Sequence, residues 1–408
     1  MVVRIASPRS YTDGYLPSKS RKFLNGDTLG VVSPTHQQAS ALSIPVQPTP
    51  PSATGIIDIR SSTASLLDSL DTMTLEGLRQ PYGAKTMPSL LLWDEKGQDL
   101  YNEILASNQY YPYRVENELL KQRIDEIAST VASSSTDMVV ELGAGNMTKT
   151  SLFLAALDKQ LDTPLVYYAL DVDQAQLESS IKTLKERTSL TFIEVRGLLG
   201  TYADGARWLS RPESGMRHLR KTMVWLGNSI ANYLQHEAGE VLGSFAHDPE
   251  DGSPQNLAGF LLAVDGCQDA QLISHAYDVP TGQTRRWVRY GLEAAKRHLN
   301  DPEAERLLRD DNWRFMGRWE PERQRYENYF VATKDLNATI RGEEIHLKEG
   351  ERVQILGSGK WTKSEVSRIC SRQGLVVNEW WNSVELDYGV YWLQSSLRRK
   401  ESGIAMDI

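Results

Sequence analysis

Two apolar runs, each followed by a turn with polar or glycine residues, constrain the fold of this chain more than any other feature. The first run covers residues 138–142, and Gly143 and Gly145 follow it directly. The second run begins at Leu165 and ends in a carboxylate, Asp171. Glycine lets the backbone pass close to a ligand because it has no Cβ, and a carboxylate at the end of the next strand can accept hydrogen bonds from a ribose diol. These signals predict an α/β domain that binds a nucleoside at the carboxyl ends of its strands.

Strand-like and helical segments alternate around these runs. The pattern predicts strands over 139–142, 166–171, 191–195, 223–226 and 260–264, and helices over 116–130, 150–161 and 174–187. Strands separated by helices form right-handed crossovers and a parallel sheet. A helix over 364–373 and strands over 375–380 and 389–393 follow late in the chain. They indicate that the nucleotide-binding domain is discontinuous.

The chain therefore divides into three predicted parts. A nucleotide-binding domain comprises residues 116–267 and 363–408. A substrate-binding domain combines residues 56–115 with the late insertion 268–362, and its first helix carries Leu66, Leu67, Leu70, Met73 and Leu78 near one face. Residues 1–55 hold seven of the seventeen prolines and show little periodicity, which predicts a disordered tail.

Composition excludes several classes of function. The net charge of −8 provides no basic surface for nucleic acid. No apolar run approaches the roughly 20 residues that a membrane span requires. The chain has two cysteines, Cys267 and Cys370, whose spacing fits neither a zinc site nor a disulfide framework. We expect a soluble cytoplasmic enzyme without a metal site.

Two classes of cofactor fit the glycine turn and Asp171. A dinucleotide enzyme would favour a third glycine where this chain has Thr148, because that glycine allows close packing of the helix that binds the pyrophosphate. S-adenosylmethionine has no phosphate and needs only backbone room at the turn. Its carboxylate could meet Lys149, and Asp171 could accept both ribose hydroxyls. The residues favour the methyl donor, with a non-catalytic binding module as a further alternative.

Six sequence blocks resemble the histidine-specific N-methyltransferase family, which includes the ergothioneine-pathway histidine trimethylase and fungal 4-dimethylallyltryptophan N-methyltransferases. The resemblance extends from about Ile56 to Leu393. The blocks are Lys96-Gly-x-x-Leu100-Tyr-x-x-Ile104, Tyr110-Tyr-Pro-x-Arg114, Glu141-Leu-Gly-Ala-Gly145, Trp225-Leu-Gly-Asn-Ser-Ile-Ala-Asn232, His275-Ala-Tyr277-Asp and Trp380-Trp381.

The resemblance implies a Rossmann-like methyltransferase domain with a second, α+β substrate-binding domain, and S-adenosylmethionine as cofactor. The cofactor residues that it implies are Gly143, Gly145, Lys149, Asp171, Leu198 and Leu199, the two leucines flanking the adenine. For an amino-acid substrate it implies that Asn232 binds the amine and carboxylate, Tyr277 the carboxylate, and Tyr110 the amine region. An alternative for Asn232 is that it caps the helix beginning near Leu234.

The expected side-chain pocket departs from the histidine enzymes. Those enzymes place a Glu two residues before a Ser to bind the imidazole, whereas this chain has Leu356 before Ser358. Losing that charged acceptor would weaken histidine binding by roughly 1.5–3 kcal/mol, more than about tenfold. Trp93 stands in place of a Tyr and Asn328 in place of an apolar residue, while Tyr101 and Thr284 line the remainder. Such a pocket suits an indole, a phenol or a prenylated aromatic group.

We therefore expect an α-amino N-methyltransferase for an aromatic or prenylated aromatic amino acid, acting in fungal secondary metabolism such as alkaloid biosynthesis. A histidine Nα-trimethyltransferase of ergothioneine biosynthesis is the alternative, and a non-catalytic protein that binds S-adenosylmethionine or an amino acid is the second. No residue in the six blocks is an obvious catalytic base. The number of methyl groups transferred depends on the space around the nitrogen.

Overall fold

A computed structural model describes residues 55–61, 69–278 and 281–396. The predicted tail, except its last residue, and the helical positions Leu66 and Leu67 lie outside these ranges. The described helices are α1 (Leu70–Leu78), α2 (Glu95–Leu105), α3 (Tyr111–Ser133), α4 (Thr148–Asp158), α5 (Gln174–Arg187), α6 (Tyr202–Ser210), α7 (Gln235–Ala246), α8 (Ala270–Tyr277), α9 (Gln283–Leu299), α10 (Pro302–Leu307) and α11 (Lys363–Ser371). The described strands are β1 (Ile56–Asp58), β2 (Met138–Leu142), β3 (Leu165–Asp171), β4 (Ile193–Leu199), β5 (Lys221–Trp225), β6 (Leu257–Asp265), β7 (Trp313–Glu320), β8 (Arg325–Ala332), β9 (Leu336–Ile340), β10 (Glu343–Leu347), β11 (Arg352–Gly359), β12 (Leu375–Asn382) and β13 (Tyr388–Ser395).

The largest element of the fold is an eight-stranded sheet of order β1-β4-β3-β2-β5-β6-β13-β12. The strands from β1 to β6 pair in parallel, whereas β13 pairs antiparallel with both β6 and β12. Every residue of β2, β5 and β6 is buried, as expected when helices cover both faces of a parallel sheet. The predicted α/β class is confirmed.

The remaining strands form a smaller structure between β6 and α11. Strands β11, β8 and β7 form an antiparallel sheet in that order, and β9 and β10 form a separate antiparallel pair. Helices α1, α2 and α9 pack with them around an apolar core that includes Leu78, Trp287 and Phe330. This is the α+β arrangement predicted for the substrate-binding part. Among the described residues, no helix is both long and apolar enough to cross a membrane.

The assignment of residues to two domains stays a prediction, but the structure departs from it at two places. β1 was predicted to belong to the substrate-binding part, yet Ile56 pairs with Gly197 at the edge of the large sheet. Helix α3 runs without interruption across the predicted boundary at residues 115–116. Secondary-structure periodicity does not reveal that a three-residue strand completes a distant sheet, because its pairing partner lies far away in sequence.

The third predicted strand, residues 191–195, begins and ends later than expected, at Ile193 and Leu199. Asp158, at the end of α4, accepts hydrogen bonds from the backbone N–H groups of Thr191, Phe192 and Ile193 at 2.7–3.1 Å. These N–H groups donate to a side chain and not to a neighbouring strand, and the backbone bends at residues 191–192 directly before β4. Asp158 thus fixes where β4 enters the sheet.

We expect Asp158→Ala to lower the free energy of unfolding by about 1–3 kcal/mol, since the substitution leaves three backbone N–H groups, one of them buried, without their charged acceptor. Urea denaturation followed by circular dichroism measures this change. Asp162→Ala removes a nearby exposed carboxylate and should change the same quantity by less than about 0.5 kcal/mol. Equal effects of the two substitutions would contradict the anchoring role of Asp158.

Candidate active site

A cleft opens where the carboxyl ends of β2, β3 and β5 face the smaller sheet. The chain passes from β2 to β3 and β4 on one side of β2 and then returns to β5 on its other side, and ligands bind at such a switch point. The unfilled volume of the cleft, including the part open to solvent, is about 1440 Å³. The cleft brings together most of the predicted residues: Gly143, Gly145, Lys149, Asp171, Trp93, Tyr101, Tyr110, Asn232, Tyr277, Thr284, Asn328, Leu356 and Ser358.

The turn after β2 requires glycine because of its backbone conformation. Gly143 and Gly145 have φ angles of +69° and +54°, in the left-handed region that side-chain-bearing residues rarely adopt. The Gly143 N–H donates to the Leu170 carbonyl at 3.0 Å, and Ser180 Oγ donates to the Gly145 carbonyl at 2.7 Å. A Cβ built on Gly145 would meet no atom within 4 Å, so the turn borders open space. The turn therefore leaves room for a ligand above it.

Asp171 presents a buried carboxylate at the end of β3. Its Oδ1 accepts hydrogen bonds from the N–H groups of Val172 at 2.7 Å and Asp173 at 3.2 Å. No described residue donates to Oδ2, which leaves this oxygen for a ligand. Burial raises the pKa of the carboxyl group above its ordinary value. Hydroxyl donors from a ribose would stabilise its charged form, which fits the predicted role.

Lys149 has a protein partner that sequence reasoning missed. Its ammonium pairs with Glu116 of α3, whose side chain is 1% exposed. The second Glu116 oxygen accepts from the Gly227 N–H at 2.7 Å, after β5. Lys149 lines the cleft and can still meet a ligand carboxylate, but its charge is already balanced. Glu116 carries no local signal in the sequence because its role arises only where α3 crosses the strand ends.

Glu141, the fourth residue of β2, is another acid whose role sequence reasoning left open. Its two oxygens accept from Thr150 Oγ1 at 2.9 and 2.8 Å, and Oε2 also accepts from the Tyr167 hydroxyl. The pKa of Glu141 is raised to about 7, mainly because the carboxyl group is buried. These bonds join β2, α4 and β3 beneath the glycine turn and hold its shape.

Leu198 and Leu199 do not line the cleft, which corrects the expectation that they flank an adenine. Both lie inside β4, with relative exposures of 0% and 3%. Successive residues of a strand point to opposite faces, and each leucine packs into a different apolar core. The error follows from ending the third strand too early, since residues placed beyond a strand end would have been free to meet a ligand.

Asn232 lies in a short 3-10 helix, Ser229–Asn232, with its side chain facing the cleft. It does not cap α7, because that helix begins at Gln235 and Glu237 accepts the Leu234 N–H at 2.7 Å. The Asn232 carbonyl instead accepts from Arg325 Nη2 at 3.1 Å. Arg325 also donates to the carbonyls of Ala231 and Tyr233 and so fixes the turn that presents Asn232.

Aromatic rings form one wall of the cleft. Trp93 and Tyr101 meet edge to face with ring centroids 5.0 Å apart, and Trp287, which the sequence did not single out, lies 5.0 Å from Tyr101. Tyr110 continues the wall, with its ring centroid 5.5 Å from that of Tyr277. Burial raises the pKa values of Tyr101 and Tyr110 well above the ordinary phenol value. These phenols are therefore neutral hydrogen-bonding groups.

Leu356 and Asn328 face each other across β11 and β8. Directly opposite residues lie on the same face of a sheet, and both side chains line the cleft. A bulge between Gln354 and Leu356 sets this register. The two glutamates that shortly precede Leu356 in the sequence, Glu349 and Glu351, do not line the cleft. Glu351 instead accepts the Lys348 N–H at 2.9 Å.

Three buried polar atoms of the cleft residues lack partners among the residues that the structure describes. They are Asn328 Oδ1, Thr284 Oγ1 and Trp93 Nε1. The amide nitrogen of Asn328 donates to the Leu356 carbonyl at 3.4 Å, which directs the amide oxygen away from that carbonyl. Burying an acceptor without a partner costs roughly 1–3 kcal/mol, so a bound hydrogen-bond donor would stabilise this site.

Tyr277 and Ser358 meet at the wall of the cleft that the smaller sheet forms, with their hydroxyl oxygens 3.0 Å apart. Both contact a fully buried lysine, Lys360, which is paired with Asp265 at the end of β6. Sequence reasoning missed both charged residues. Within the described ranges, no group of three or more His, Cys, Asp or Glu residues could hold a metal ion.

We expect Asp171→Asn to weaken binding of S-adenosylhomocysteine, the demethylated form of the expected cofactor, by at least about tenfold, because the ribose would lose a charged acceptor. Isothermal titration calorimetry measures the affinity. Asp125→Asn changes an exposed acid of α3 and should leave it unaltered. Equal affinities of the Asp171 and Asp125 variants would contradict the assignment.

Comparisons with known proteins agree with this geometry. A model of the histidine-specific, SAM-dependent methyltransferase family matches residues 70–395. The N-methyltransferase imqF of Aspergillus flavus is 39% identical over 337 residues, covering 82% of this chain and 87% of that protein. The 4-dimethylallyltryptophan N-methyltransferase easF of Claviceps purpurea is 30% identical over 350 residues, covering 83% of this chain and 98% of that protein. Ergothioneine biosynthesis protein 1 of Neurospora crassa is 33% identical over 349 residues, covering 84% of this chain but 36% of that longer protein.

The family match extends over most of the chain, and the relatives align with this chain over nearly its whole described part. This chain belongs to the histidine-specific, S-adenosylmethionine-dependent methyltransferase family and is an N-methyltransferase.

Proposed function

We propose that this enzyme methylates the α-amino nitrogen of an aromatic amino acid whose ring carries a hydrogen-bond donor, such as an indole or a phenol. The observation that carries the proposal is the pairing of Leu356 with Asn328 in the cleft. The acidic residues that line the cleft, Glu116, Glu141, Asp171 and Asp173, come from the cofactor side or from α3. An imidazolium or imidazole would therefore find no carboxylate partner beside Leu356.

The groups proposed to bind the amino-acid backbone are neutral. Asn232 offers an amide, and Tyr110 and Tyr277 offer phenols, all lining the same cleft. An amide can accept from an amine and donate to a carboxylate, and a phenol can donate to a carboxylate. A zwitterion can thus be held without adding a net positive charge beside a sulfonium cofactor, which such a charge would repel.

The aromatic wall and the unpartnered oxygen support the choice of side chain. Trp93, Tyr101 and Trp287 offer flat apolar surfaces against which a ring can pack. Asn328 Oδ1 would accept from an indole N–H or a phenol O–H. The name of the Claviceps relative describes an enzyme for 4-dimethylallyltryptophan, an indole amino acid. As part of the proposal, we extend that substrate class to this enzyme. We also propose that the enzyme acts in fungal secondary metabolism.

When bound, S-adenosylmethionine supplies a methyl group on a sulfonium centre. The residues of this chain would place the acceptor nitrogen beside that group and exclude water, which accounts for much of the catalysis in such a transfer. The amine must be neutral to react, and the nearby positive charge of the cofactor favours loss of its proton. We assign no catalytic base.

The direct test incubates the enzyme with labelled S-adenosylmethionine and a panel of tryptophan, 4-dimethylallyltryptophan, tyrosine, phenylalanine and histidine. We expect the indole or phenol acceptors to show the highest kcat/KM. Histidine as the best acceptor would favour the ergothioneine alternative. Binding of S-adenosylhomocysteine without methylation of any amino acid would favour a different acceptor class or a non-catalytic role.

The Leu356→Glu variant should raise the kcat/KM for histidine at least about tenfold relative to Leu356→Gln, because only the glutamate gives the imidazole a charged acceptor. Activity on the best aromatic acceptor should fall in the same variant, since the carboxylate would then lie beside an apolar ring. The glutamine variant controls for side-chain size. If both variants treat histidine alike, Leu356 does not contact the substrate side chain.

The Asn328→Leu variant should reduce the preference for tryptophan over 1-methyltryptophan, which lacks the indole N–H. A hydrogen bond to a buried acceptor corresponds to roughly a fivefold to hundredfold preference in the wild type. The ratio of the kcat/KM values for the two substrates measures this preference. Comparing tyrosine with 4-methoxyphenylalanine applies the same test to a phenol. Ratios unchanged by the substitution would contradict the role of Asn328 as the ring acceptor.

A further inference from the structure

A fully buried ion pair lies directly behind the proposed carboxylate-binding hydroxyls. Lys360 Nζ is 2.9 Å from Asp265 Oδ2, and both side chains are 0% exposed. Asp265 Oδ2 also accepts from the Tyr111 hydroxyl at 2.8 Å, and Oδ1 accepts from the Cys267 N–H at 3.0 Å. A buried ion pair gives little net stability unless its remaining hydrogen-bonding groups are satisfied. Here each oxygen of Asp265 has a partner, so the pair is held in a single arrangement.

The lysine ammonium has three donors and no acceptor. Its three near neighbours are Asp265 Oδ2 at 2.9 Å, the Tyr277 hydroxyl at 2.6 Å and Ser358 Oγ at 3.3 Å. All three donors are thereby used. Because the ammonium cannot accept, both hydroxyl oxygens must accept from it, and the proton of each hydroxyl must point elsewhere.

A second donor acts on Ser358. Asn228 Nδ2 lies 3.3 Å from Ser358 Oγ, and its amide orientation is set because Asn228 Oδ1 accepts the Asp265 N–H at 2.9 Å. Ser358 Oγ therefore accepts from both Lys360 and Asn228, which occupies its two lone pairs. The serine proton is then free to go to the Tyr277 oxygen, 3.0 Å away.

The hydrogen bonds around Tyr277 consequently run in one direction. Its oxygen accepts from Lys360 and from Ser358, so its own proton has no acceptor behind it and points to the cleft that Tyr277 lines, where the Tyr110 hydroxyl and a bound ligand can meet it. A cation behind a hydroxyl also makes it a stronger donor. We propose that the Lys360–Asp265 pair is a positioning device that orients the Tyr277 hydroxyl as a dedicated donor to the carboxylate of the amino-acid substrate.

The pair accomplishes this without placing net charge at the site. Asp265 balances the charge of Lys360, so the donor is oriented while the surroundings of a sulfonium cofactor stay neutral. A direct lysine–carboxylate contact would bring an uncompensated cation into the cleft. This inference rests on the proposed function, because it requires an acceptor molecule that bears a carboxylate.

The test compares the best of tryptophan and tyrosine with its carboxamide, which lacks the anion. In the wild type we expect the acid to exceed the amide in kcat/KM by at least about tenfold. Tyr277→Phe should reduce this ratio to near one, mainly through KM of the acid. Lys360→Met combined with Asp265→Asn, which removes both charges together and avoids an unpaired buried carboxylate, should reduce it to a similar extent.

A double-variant comparison distinguishes this positioning role from a merely structural one. Adding Tyr277→Phe to the Lys360→Met/Asp265→Asn variant should change the acid-to-amide ratio no further, because both act through one hydroxyl. Affinity for S-adenosylhomocysteine should stay within about twofold in every variant, which reports an intact cofactor site. Lys334→Met, an exposed lysine outside the cleft, should leave all these values unchanged.

An acid-to-amide ratio that stays at the wild-type value in the Lys360 and Asp265 variant overturns the inference while the proposed function stands. Additive effects of the Tyr277 and Lys360 substitutions overturn it as well. A wild-type enzyme that methylates no aromatic amino acid overturns the proposed function and this inference together. Preserved affinity for S-adenosylhomocysteine distinguishes these outcomes from loss of the fold.

Discussion

The arrangement of the cleft depends on the hydrogen bonds around Asp265, where the two sheets meet. Its side chain holds Lys360, its N–H donates to Asn228 at 2.9 Å, and its carbonyl accepts the Trp361 N–H at 2.8 Å. Asp265 ends β6 of the large sheet, whereas Lys360 and Trp361 directly follow β11 of the smaller sheet. One residue therefore links the proposed amino-acid pocket to the strand ends that carry the glycine turn.

Paired charges are a second common feature, and they lie either in the wall of the cleft or directly behind it. Lys149 pairs with Glu116, Lys360 with Asp265, and Arg325 with Glu327 at 2.9 Å. In each pair at least one side chain is almost fully buried, and further hydrogen bonds hold it to backbone groups or hydroxyls. Such pairs contribute more to the position of neighbouring groups than to stability, because burying charges is costly. Their neutrality suits a family that binds a sulfonium cofactor.

The sequence predicted well those features that depend on local pattern. Strands β2 and β3 are buried runs of mostly apolar residues, and helix α5 begins and ends at the predicted residues, Gln174 and Arg187. The residues that the resemblance implied for substrate binding, from Trp93 to Ser358, all line the cleft, and their role stays a prediction. Leu198 and Leu199 lie outside the cleft, because both belong to β4, which extends to Leu199 rather than ending near residue 195.

What the sequence alone determined is the class of the fold, the glycine turn and the apolar character at Leu356, since each depends on residue type and on spacing along the chain. The tertiary structure alone decided which polar groups act together. Glu116 meets Gly227, and Lys360 meets Asp265, across long stretches of chain that carry no common periodicity. Hydrogen bonds are short and directional, so which donors and acceptors pair becomes known only once helices and sheets have packed.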